Sequence, residues 1–174
     1  DSSSAMTICY LALGSNIEDR VGYLAFAVSQ LRQIPGLSVK AVSPVYETEP
    51  VGGPEQDSYL NAVVKVQTGM PAEKLLEHCQ RIENMAHRTR EVHWGPRTLD
   101  VDVIMVGTQI SDDPVLTLPH PRTHERAFVL VPLRDIEKHA VIPGRGKIAD
   151  LLGQVSLEGV AKFAPASMID GTDD

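Results

Sequence analysis

The sequence is poor in cysteine and in positive charge. Its 174 residues include only two cysteines, Cys9 and Cys79, and neither has a C-x-x-C neighbour. Both lie in apolar patterns, which predicts buried thiols in a reducing compartment. The 16 Lys and Arg side chains are outnumbered by 23 Asp and Glu, so the net charge is -7. A protein that binds a duplex or RNA normally carries the opposite sign over a broad face, so we expect no nucleic-acid partner.

The sequence also lacks segments typical of a membrane or secreted protein. No apolar run approaches the ~20 residues of a membrane span, and no signal peptide is visible before Met6. Residues 1–5, DSSSA, are short and polar and are interpreted as an expression remnant. The rest, with 43% hydrophobic residues overall, predicts a single domain over residues 6–164. We expect a soluble cytoplasmic protein with no membrane partner and a flexible acidic tail over residues 165–174.

Several common catalytic motifs are absent as well. Residues 143–152, PGRGKIADLL, contain glycines and a lysine but not the G-x-x-x-x-G-K-[ST] spacing of a P-loop. His120 and His124 are four residues apart, yet Pro121 between them disfavours a helical zinc pair. No Ser/His/Asp or Cys/His arrangement stands out. Any chemistry must therefore depend on other residues.

Hydrophobic periodicity predicts an α+β domain. Helical spacing of apolar residues predicts one helix from Glu18 and another after Pro71. Alternating apolar segments predict four strands, over Thr7–Leu13, Leu37–Tyr46, Tyr59–Thr68 and Thr98–Val106. Their order along the chain is the ferredoxin-like split β-α-β pattern. We expect both helices on one face of an antiparallel sheet, followed by a C-terminal extension with a hairpin and a short helix near residues 148–152.

The fourth strand carries two carboxylates that an ordinary buried strand would not contain. Asp100 and Asp102 are two residues apart, so their side chains point to the same face. Leu99, Val101 and Val103 then point towards the helices, which leaves the carboxylates on the open face. A solvated edge strand would show the same alternation. The other interpretation is a site for hard cations, and oxygen ligands without a His or Cys at ligand spacing favour Mg²⁺ over Zn²⁺.

Arginines are concentrated before this strand in an otherwise acidic protein. Arg81, Arg88, Arg90 and Arg97 lie close together in the sequence. Arginine matches phosphate oxygens with two parallel hydrogen bonds. Ion pairs on a helix surface, such as Glu77 with Arg81, are the alternative. Aspartates for Mg²⁺ beside several arginines are the components of a phosphoryl-transfer site.

The residues around the aspartates resemble a known family. WGPRTLDVDVIM is similar to the signature of the 6-hydroxymethyl-7,8-dihydropterin pyrophosphokinases, folate-biosynthesis enzymes that use ATP and release AMP. Further similar blocks follow the family's order: YLALGSN, SPVYETEPVGG, YLNAVV, QRIE, LPHPRTHERAFVLVPL and DLL. The resemblance extends from Thr7 to about Leu152. It implies a diphosphotransferase with two small-molecule substrates, ATP and the dihydropterin, which we expect to act as a monomer.

The resemblance also implies roles for individual residues. Asp100 and Asp102 would hold two Mg²⁺ ions on the ATP phosphates, and Arg88 and Arg97 would stabilise charge on the transferred group. The implied ATP-binding residues are Gln80, Glu83, Arg90, Trp94, Arg97, His120 and Arg126. The implied dihydropterin-binding residues are Thr48, Tyr59, Asn61, Trp94 and Phe128.

Each of these assignments has an ordinary alternative. Gln80 and Glu83 would also suit a solvated helix surface, and Tyr59 and Phe128 would also suit an apolar core. The stretch 91–93 is shorter and less basic than in some relatives, which bears on the phosphate contacts of that loop. A non-catalytic ferredoxin-like binding module and a metal-dependent phosphohydrolase are the rival functions. Formation of AMP from ATP in the presence of the dihydropterin would separate them.

Overall fold

A six-stranded antiparallel sheet forms the centre of the protein. The computed structural model describes residues 6–16, 19–49, 58–88 and 99–171, and of Arg88 only the backbone. The strands are β1 (Thr7–Ser15), β2 (Leu37–Val42), β3 (Val45–Thr48), β4 (Tyr59–Thr68), β5 (Asp100–Val106), β6 (Ser111–Asp113), β7 (Leu116–Leu118), β8 (Val141–Ile142), β9 (Gly146–Lys147) and β10 (Val160–Ala164). The helices are α1 (Arg20–Arg32), α2 (Ala72–Arg88), α3 (Ala127–Ile136) and α4 (Ile148–Leu152). None of these described helices is long and apolar enough to cross a membrane.

The topology confirms the predicted fold class. The main sheet runs in the order β10-β3-β4-β1-β5, with β2 also paired to β4. β1 lies between β4 and β5, and both pairings are antiparallel. The succession β1-α1-β2/β3-β4-α2-β5 is the ferredoxin-like split β-α-β pattern. Residues on both faces of β1 are buried, because Leu11 and Leu13 belong to one core cluster and Tyr10 to another.

The second predicted strand, Leu37–Tyr46, is two strands in the structure. It breaks at Ser43 and Pro44, and β2 and β3 pair separately with β4. Proline has no N–H to donate to a strand ladder. Ser43 instead donates its backbone N–H to the Val63 carbonyl at 3.0 Å, and its hydroxyl accepts the Val63 N–H at 2.8 Å. The serine side chain therefore takes the place of a backbone acceptor where the strand bends.

Both long helices cover one face of the sheet, as predicted. α1 begins after Asp19, whose carboxylate accepts a hydrogen bond from the Gly22 N–H at 3.0 Å and so caps the helix. Both predicted thiols are buried and free, and burial raises the pKa of Cys9 to about 11. One core cluster joins the helices to the sheet and includes Leu11, Leu13, Leu24, Val28, Leu31, Leu75, Cys79, Ile82, Val101 and Val103.

Helix α3, which the sequence pattern did not predict, covers part of the opposite face. Its sequence is apolar on almost every side and contains Pro132, so neither a helical stripe nor an uninterrupted helix is visible in the pattern. Burial explains the composition, because α3 packs between the sheet and α4. The second core cluster includes Tyr10, Val63, Ile104, Met105, Val129, Leu130, Leu133, Ile148 and Leu151. The predicted short helix near residues 148–152 is α4.

The C-terminal segment contains the predicted flexible tail, residues 165–174, of which residues 172–174 lie outside the described residues. β10 pairs with β3, and a short 3-10 turn follows at Ala166–Met168. Ile169 is 1% exposed and belongs to the larger core cluster. The Arg32 guanidinium also donates to the Asp170 carbonyl at 2.9 Å. The buried Ile169 side chain and the hydrogen bond from Arg32 to Asp170 therefore help to anchor the segment up to residue 171.

Replacing Ile169 with alanine tests this anchor. We expect Ile169→Ala to lower the free energy of unfolding by about 2–4 kcal/mol, because a buried branched side chain leaves a cavity. The neighbouring Met168 is 55% exposed, so Met168→Ala should change it by less than about 0.5 kcal/mol. Urea unfolding of both variants provides the comparison, and equal effects would contradict the anchoring role.

Candidate active site

A cavity of about 1070 Å³ opens on the sheet face opposite α1 and α2. Strands β1, β4 and β5 form its floor, and the segment 120–129 forms one wall. The segment 156–160 and the end of β3 form the other wall. The cavity lies beside α3, on the part of this face that α3 leaves uncovered. Its lining combines carboxylates, arginines, a histidine and two aromatic rings.

The two aspartates face this cavity, as the alternation of β5 predicts. Asp100 and Asp102 both line it, whereas Leu99, Val101 and Val103 lie in the core beneath the helices. Each aspartate is only partly exposed. The predicted division of β5 into an apolar face and a carboxylate face is therefore confirmed.

Gly14 separates the aspartates from the polar residues of β4. It lies opposite Asp100 on one side and opposite Asn61 on the other. A Cβ atom at this position would lie 3.4 Å from the Asn61 Oδ1 and 3.6 Å from the Tyr59 ring, so any side chain would fill the space between the two halves of the cavity. Gly14 lies just beyond the first predicted strand, Thr7–Leu13, but within β1 of the structure. The residues that it separates become visible only when the strands are paired.

Three of the predicted dihydropterin-binding residues meet at the junction of β3 and β4. Thr48 lies directly opposite Tyr59, and the side chains of Thr48, Tyr59 and Asn61 line the cavity. The Asn61 amide donates to the Thr48 hydroxyl at 2.7 Å, which fixes the orientation of both groups. Burial, and then the charge of Asp100, raise the pKa of the Tyr59 hydroxyl. Tyr59 is therefore neutral at physiological pH and lies within electrostatic reach of Asp100.

The wall formed by residues 120–129 brings His120, Arg126 and Phe128 to the same cavity. The Arg126 guanidinium carbon lies 5.6 Å from the centroid of the Phe128 ring, within cation-π distance. The backbone N–H of His120 donates to the Ile104 carbonyl at 2.9 Å, which ties this segment to β5. The buried Nδ1 of His120 has no hydrogen-bond partner among the described residues. A polar ring atom beneath this wall is thus available to a ligand or to water.

Two predicted residues of α2 lie outside the cavity lining. Gln80 is exposed on the helix. Glu83 accepts the Val101 backbone N–H at 2.8 Å, so its carboxylate ties α2 to the outer edge of β5 between the two aspartates. The structure therefore brings Glu83 next to the carboxylate strand but not to Thr48 or Asn61.

Four further predictions fall wholly or partly outside the described structure. Arg90, Trp94 and Arg97 lie outside the described residues, and the side chain of Arg88 does as well. Their assigned roles stay predictions. Several polar residues that also line the cavity lie far from the motif in sequence and were not among the predicted site residues. These are Glu49, Arg122, Thr123, Glu125, Ser156 and Glu158.

The fold and the cavity define an α+β protein with a pocket lined by carboxylates, arginines and aromatic rings. Comparison with known proteins gives the family. The model of the family described as 7,8-dihydro-6-hydroxymethylpterin-pyrophosphokinase (HPPK) matches residues 10–138. A 2-amino-4-hydroxy-6-hydroxymethyldihydropteridine pyrophosphokinase of Bacillus subtilis is 48% identical over 74% of this chain and 77% of its own length. A protein of the same name from Methylorubrum extorquens is 44% identical over 90% of this chain and 99% of its own length.

The chain therefore belongs to the 7,8-dihydro-6-hydroxymethylpterin-pyrophosphokinase family and is a diphosphokinase. The resemblance drawn from its sequence blocks is confirmed. Solved structures of Plasmodium falciparum HPPK-DHPS show the same fold. One of them has a TM-score of 0.66 at 12% identity. The match covers 88% of this chain and 46% of that one, so this chain spans about half the length of those structures.

The His120 environment generates a titration prediction. Burial, together with Arg126, lowers the pKa of His120 below its ordinary value of 6.5, while Asp102 acts in the opposite direction. We expect Asp102→Asn to lower the pKa of His120 further, because a carboxylate that favours the charged ring is removed. NMR titration of the imidazole in both proteins measures the change, and a higher pKa in Asp102→Asn would contradict the arrangement.

The lowered pKa of His120 also determines how the stability of the folded protein depends on pH. Because the folded pKa is below the unfolded one, the unfolded chain takes up the proton first as the pH falls. The contribution of His120 to stability is complete above about pH 6.5. It decreases as the pH falls from there to the folded pKa.

Proposed function

We propose that the cavity on the open sheet face is where this enzyme transfers a pyrophosphoryl group. The reaction moves pyrophosphate from ATP to the hydroxymethyl group of 6-hydroxymethyl-7,8-dihydropterin in folate biosynthesis and releases AMP. One observation carries the proposal: a single cavity is lined by Asp100 and Asp102 at one end, where β5 lies, and by Thr48 and Asn61 at the other, where β3 and β4 lie. Two chemically different substrates can therefore lie side by side with their reacting groups between these ends.

The ATP phosphates would lie at the aspartate end. Arg126 and His120 line the cavity near it, and Arg88, Arg90 and Arg97 are the cations that the sequence places immediately before β5. Guanidinium groups neutralise phosphate charge and fix its orientation. Gln80, Glu83 and Trp94 complete the proposed ATP-binding set, with α2 approaching along the outer edge of β5.

Asp100 and Asp102 fit Mg²⁺, and we propose that they hold two ions together with the nucleotide phosphates. Both side chains offer oxygen donors on one face and are partly removed from water. Among the described residues there is no group of three or more His, Cys, Asp and Glu side chains suited to a metal. We propose that oxygen atoms of ATP and water complete the coordination of each ion, as is usual for Mg²⁺. When bound, the ions would neutralise charge on the phosphate oxygens.

The dihydropterin would bind at the Thr48 and Asn61 end. The Asn61 amide uses one donor on Thr48, so a second N–H and the carbonyl oxygen can face the polar edge of a heterocycle. Tyr59 and Phe128 present aromatic rings to the same cavity, and flat heterocycles stack favourably on such rings. Trp94 is proposed to contact both substrates.

Catalysis in this arrangement depends mainly on positioning and charge neutralisation. The hydroxymethyl oxygen would attack the β-phosphorus of ATP in line with the departing AMP. Arg88 and Arg97 would stabilise the charge that develops on the transferred group. We further propose that the enzyme acts as a cytoplasmic monomer. Both thiols are buried and free, as expected in a reducing compartment.

AMP formation tests the reaction directly. With ATP, Mg²⁺ and 6-hydroxymethyl-7,8-dihydropterin, the protein should produce AMP and the pterin diphosphate in equal amounts. A phosphohydrolase would cleave ATP without the dihydropterin, and a binding module would bind ligands without turnover. Either result would overturn the proposed function.

Removing one carboxylate tests the metal-binding role. We expect Asp100→Asn and Asp102→Asn to lower turnover by at least ~10²-fold, because each removes a preorganised charge from the transferring phosphates. Asp112 on the β6-β7 hairpin is exposed, and Asp112→Asn is the matched control that should retain wild-type turnover. Steady-state rates at saturating Mg²⁺ decide the matter. Both site variants retaining more than about half of the wild-type rate would rule out the assignment.

Separate titrations with each substrate test the dihydropterin pocket. We expect Asn61→Ala to weaken dihydropterin binding by ~1–3 kcal/mol, because polar partners are left unpaired in a sheltered site. Phe128→Ala should cost a similar amount through lost stacking. ATP affinity should be unchanged by Asn61→Ala, and calorimetry measures both ligands. If Asn61→Ala weakens ATP as much as dihydropterin, the pocket has been assigned to the wrong end of the cavity.

A further inference from the structure

Arg20, the first residue of α1, joins three segments that are far apart in the sequence. Its guanidinium Nη1 lies 2.8 Å from the Glu47 Oε2 and donates to the Ser58 carbonyl at 2.9 Å. Its Cζ lies 5.4 Å from the centroid of the Phe163 ring. One cation therefore contacts the end of β3, the residue before β4, and β10.

Arg20 makes these contacts on the sheet face that α1 and α2 cover, which is opposite the cavity. Val45 is buried in the core under the helices, and Glu47, two residues further along β3, points to the same face. Thr48 points to the opposite face and lines the cavity. The register of β10 shifts between Lys162 and Ala164, and such a bulge re-aims the side chain within it, here Phe163. Arg20 thus lies behind the wall whose front carries Thr48.

The strand ends that Arg20 ties together carry the dihydropterin side of the cavity. β3 has four residues, and its pairing with β4 ends with Thr48 opposite Tyr59. Glu47 and Ser58, the two acceptors of Arg20, each adjoin one member of that terminal pair. Terminal pairs open most easily because they have fewer neighbours. A cation bonded to both strands beside the last pair resists this opening.

From this geometry we propose that Arg20 is a positioning residue for the dihydropterin. Through Glu47 and Ser58 it holds Thr48 and Tyr59 at the spacing that the heterocycle requires. The inference rests on the proposed dihydropterin pocket, although the Arg20 contacts themselves do not depend on it. Arg20 touches no cavity-lining side chain in the described interactions, so it acts through its neighbours.

Because the ion pair between Arg20 and Glu47 is partly exposed to water, its loss should change substrate binding more than the free energy of unfolding. The Arg20 and Glu47 side chains are 25% and 37% exposed, and ion pairs so accessible to water contribute little to global stability. If the contact had only a structural role, its loss would therefore change neither the free energy of unfolding nor the KM values appreciably. A positioning contact would change the binding of one substrate and leave unfolding almost unchanged.

The experiment compares Arg20→Ala with Arg32→Ala. Arg32 lies on the same helix and also donates to a backbone carbonyl, that of Asp170, but does not contact β3 or β4 in the described interactions. We expect Arg20→Ala to raise the KM for dihydropterin about tenfold, less than the roughly hundredfold loss that an ångström-scale misplacement can cause. The KM for ATP, and kcat at saturating dihydropterin, should stay within about twofold of wild type. Arg32→Ala should change none of these constants.

Two further variants keep the outcome decisive. Arg20→Lys, whose ammonium can bond both acceptors, should restore most of the dihydropterin affinity. Glu47→Gln, which weakens the pair from the other partner, should reproduce the selective rise in KM if Arg20→Ala does not fold. Equal rises in KM for both substrates, or no rise for dihydropterin, would overturn the positioning role.

Asn61→Ala, measured alongside, separates this inference from the function on which it rests. If Asn61→Ala raises the KM for dihydropterin and Arg20→Ala does not, the result supports the assigned pocket and contradicts the positioning role of Arg20. If Asn61→Ala has no effect on dihydropterin, the pocket itself has been misplaced.

Discussion

The two-sided character of β5 is the constraint on which the rest of the structure depends. As the edge strand beside β1, it packs Val101 and Val103, together with the preceding Leu99, under α1 and α2. Because side chains alternate along a strand, the same packing forces Asp100 and Asp102 to the other face. Burying those carboxylates under a third helix would be costly without cations. The face must therefore stay open where they lie, and the cavity follows from that requirement.

The partial cover on that face shapes the opening. α3 and α4 pack against Tyr10, Val63 and Met105, which removes that part of the face from water. Gly14 has no side chain, and this keeps the space between Asp100 and Asn61 clear. A polar edge for a heterocycle and a carboxylate pair for metal-bound phosphates can then face one continuous volume.

Positive side chains line the cavity although the protein as a whole is acidic. The chain carries a net charge of -7, which repels a polyphosphate at long range. Arg122 and Arg126 nevertheless line the cavity, and further arginines precede β5 in the sequence. Short-range arginine contacts are little affected by distant charges, since ionic screening acts over about 8–10 Å. Binding of an anionic nucleotide thus depends on a few placed cations, and divalent ions would offset the aspartates.

Local sequence was sufficient for the features that depend on short-range periodicity. The alternation of β5 predicted which side chains face the cavity, and helical spacing predicted α1 and α2, because strand and helix geometry dictate these patterns directly. Helix α3 was missed because burial on most sides removes the polar stripe and Pro132 interrupts the expected pattern. The anchoring of Ile169 was missed because one buried side chain in a polar segment gives no periodic signal.

Only the tertiary structure decided which distant residues meet. The pairing of β1 with β4 and β5 places Gly14 between Asn61 and Asp100, and no local pattern specifies a strand register. The pairing of β10 with β3 brings Phe163 to Arg20 in the same way. The sequence alone determined that β5 carries two carboxylates on one face and that the chain resembles its family, since both features depend on contiguous residues. The shape of the cavity and the support behind its wall arise from contacts between segments that fold together, and those contacts exist only once the core has formed.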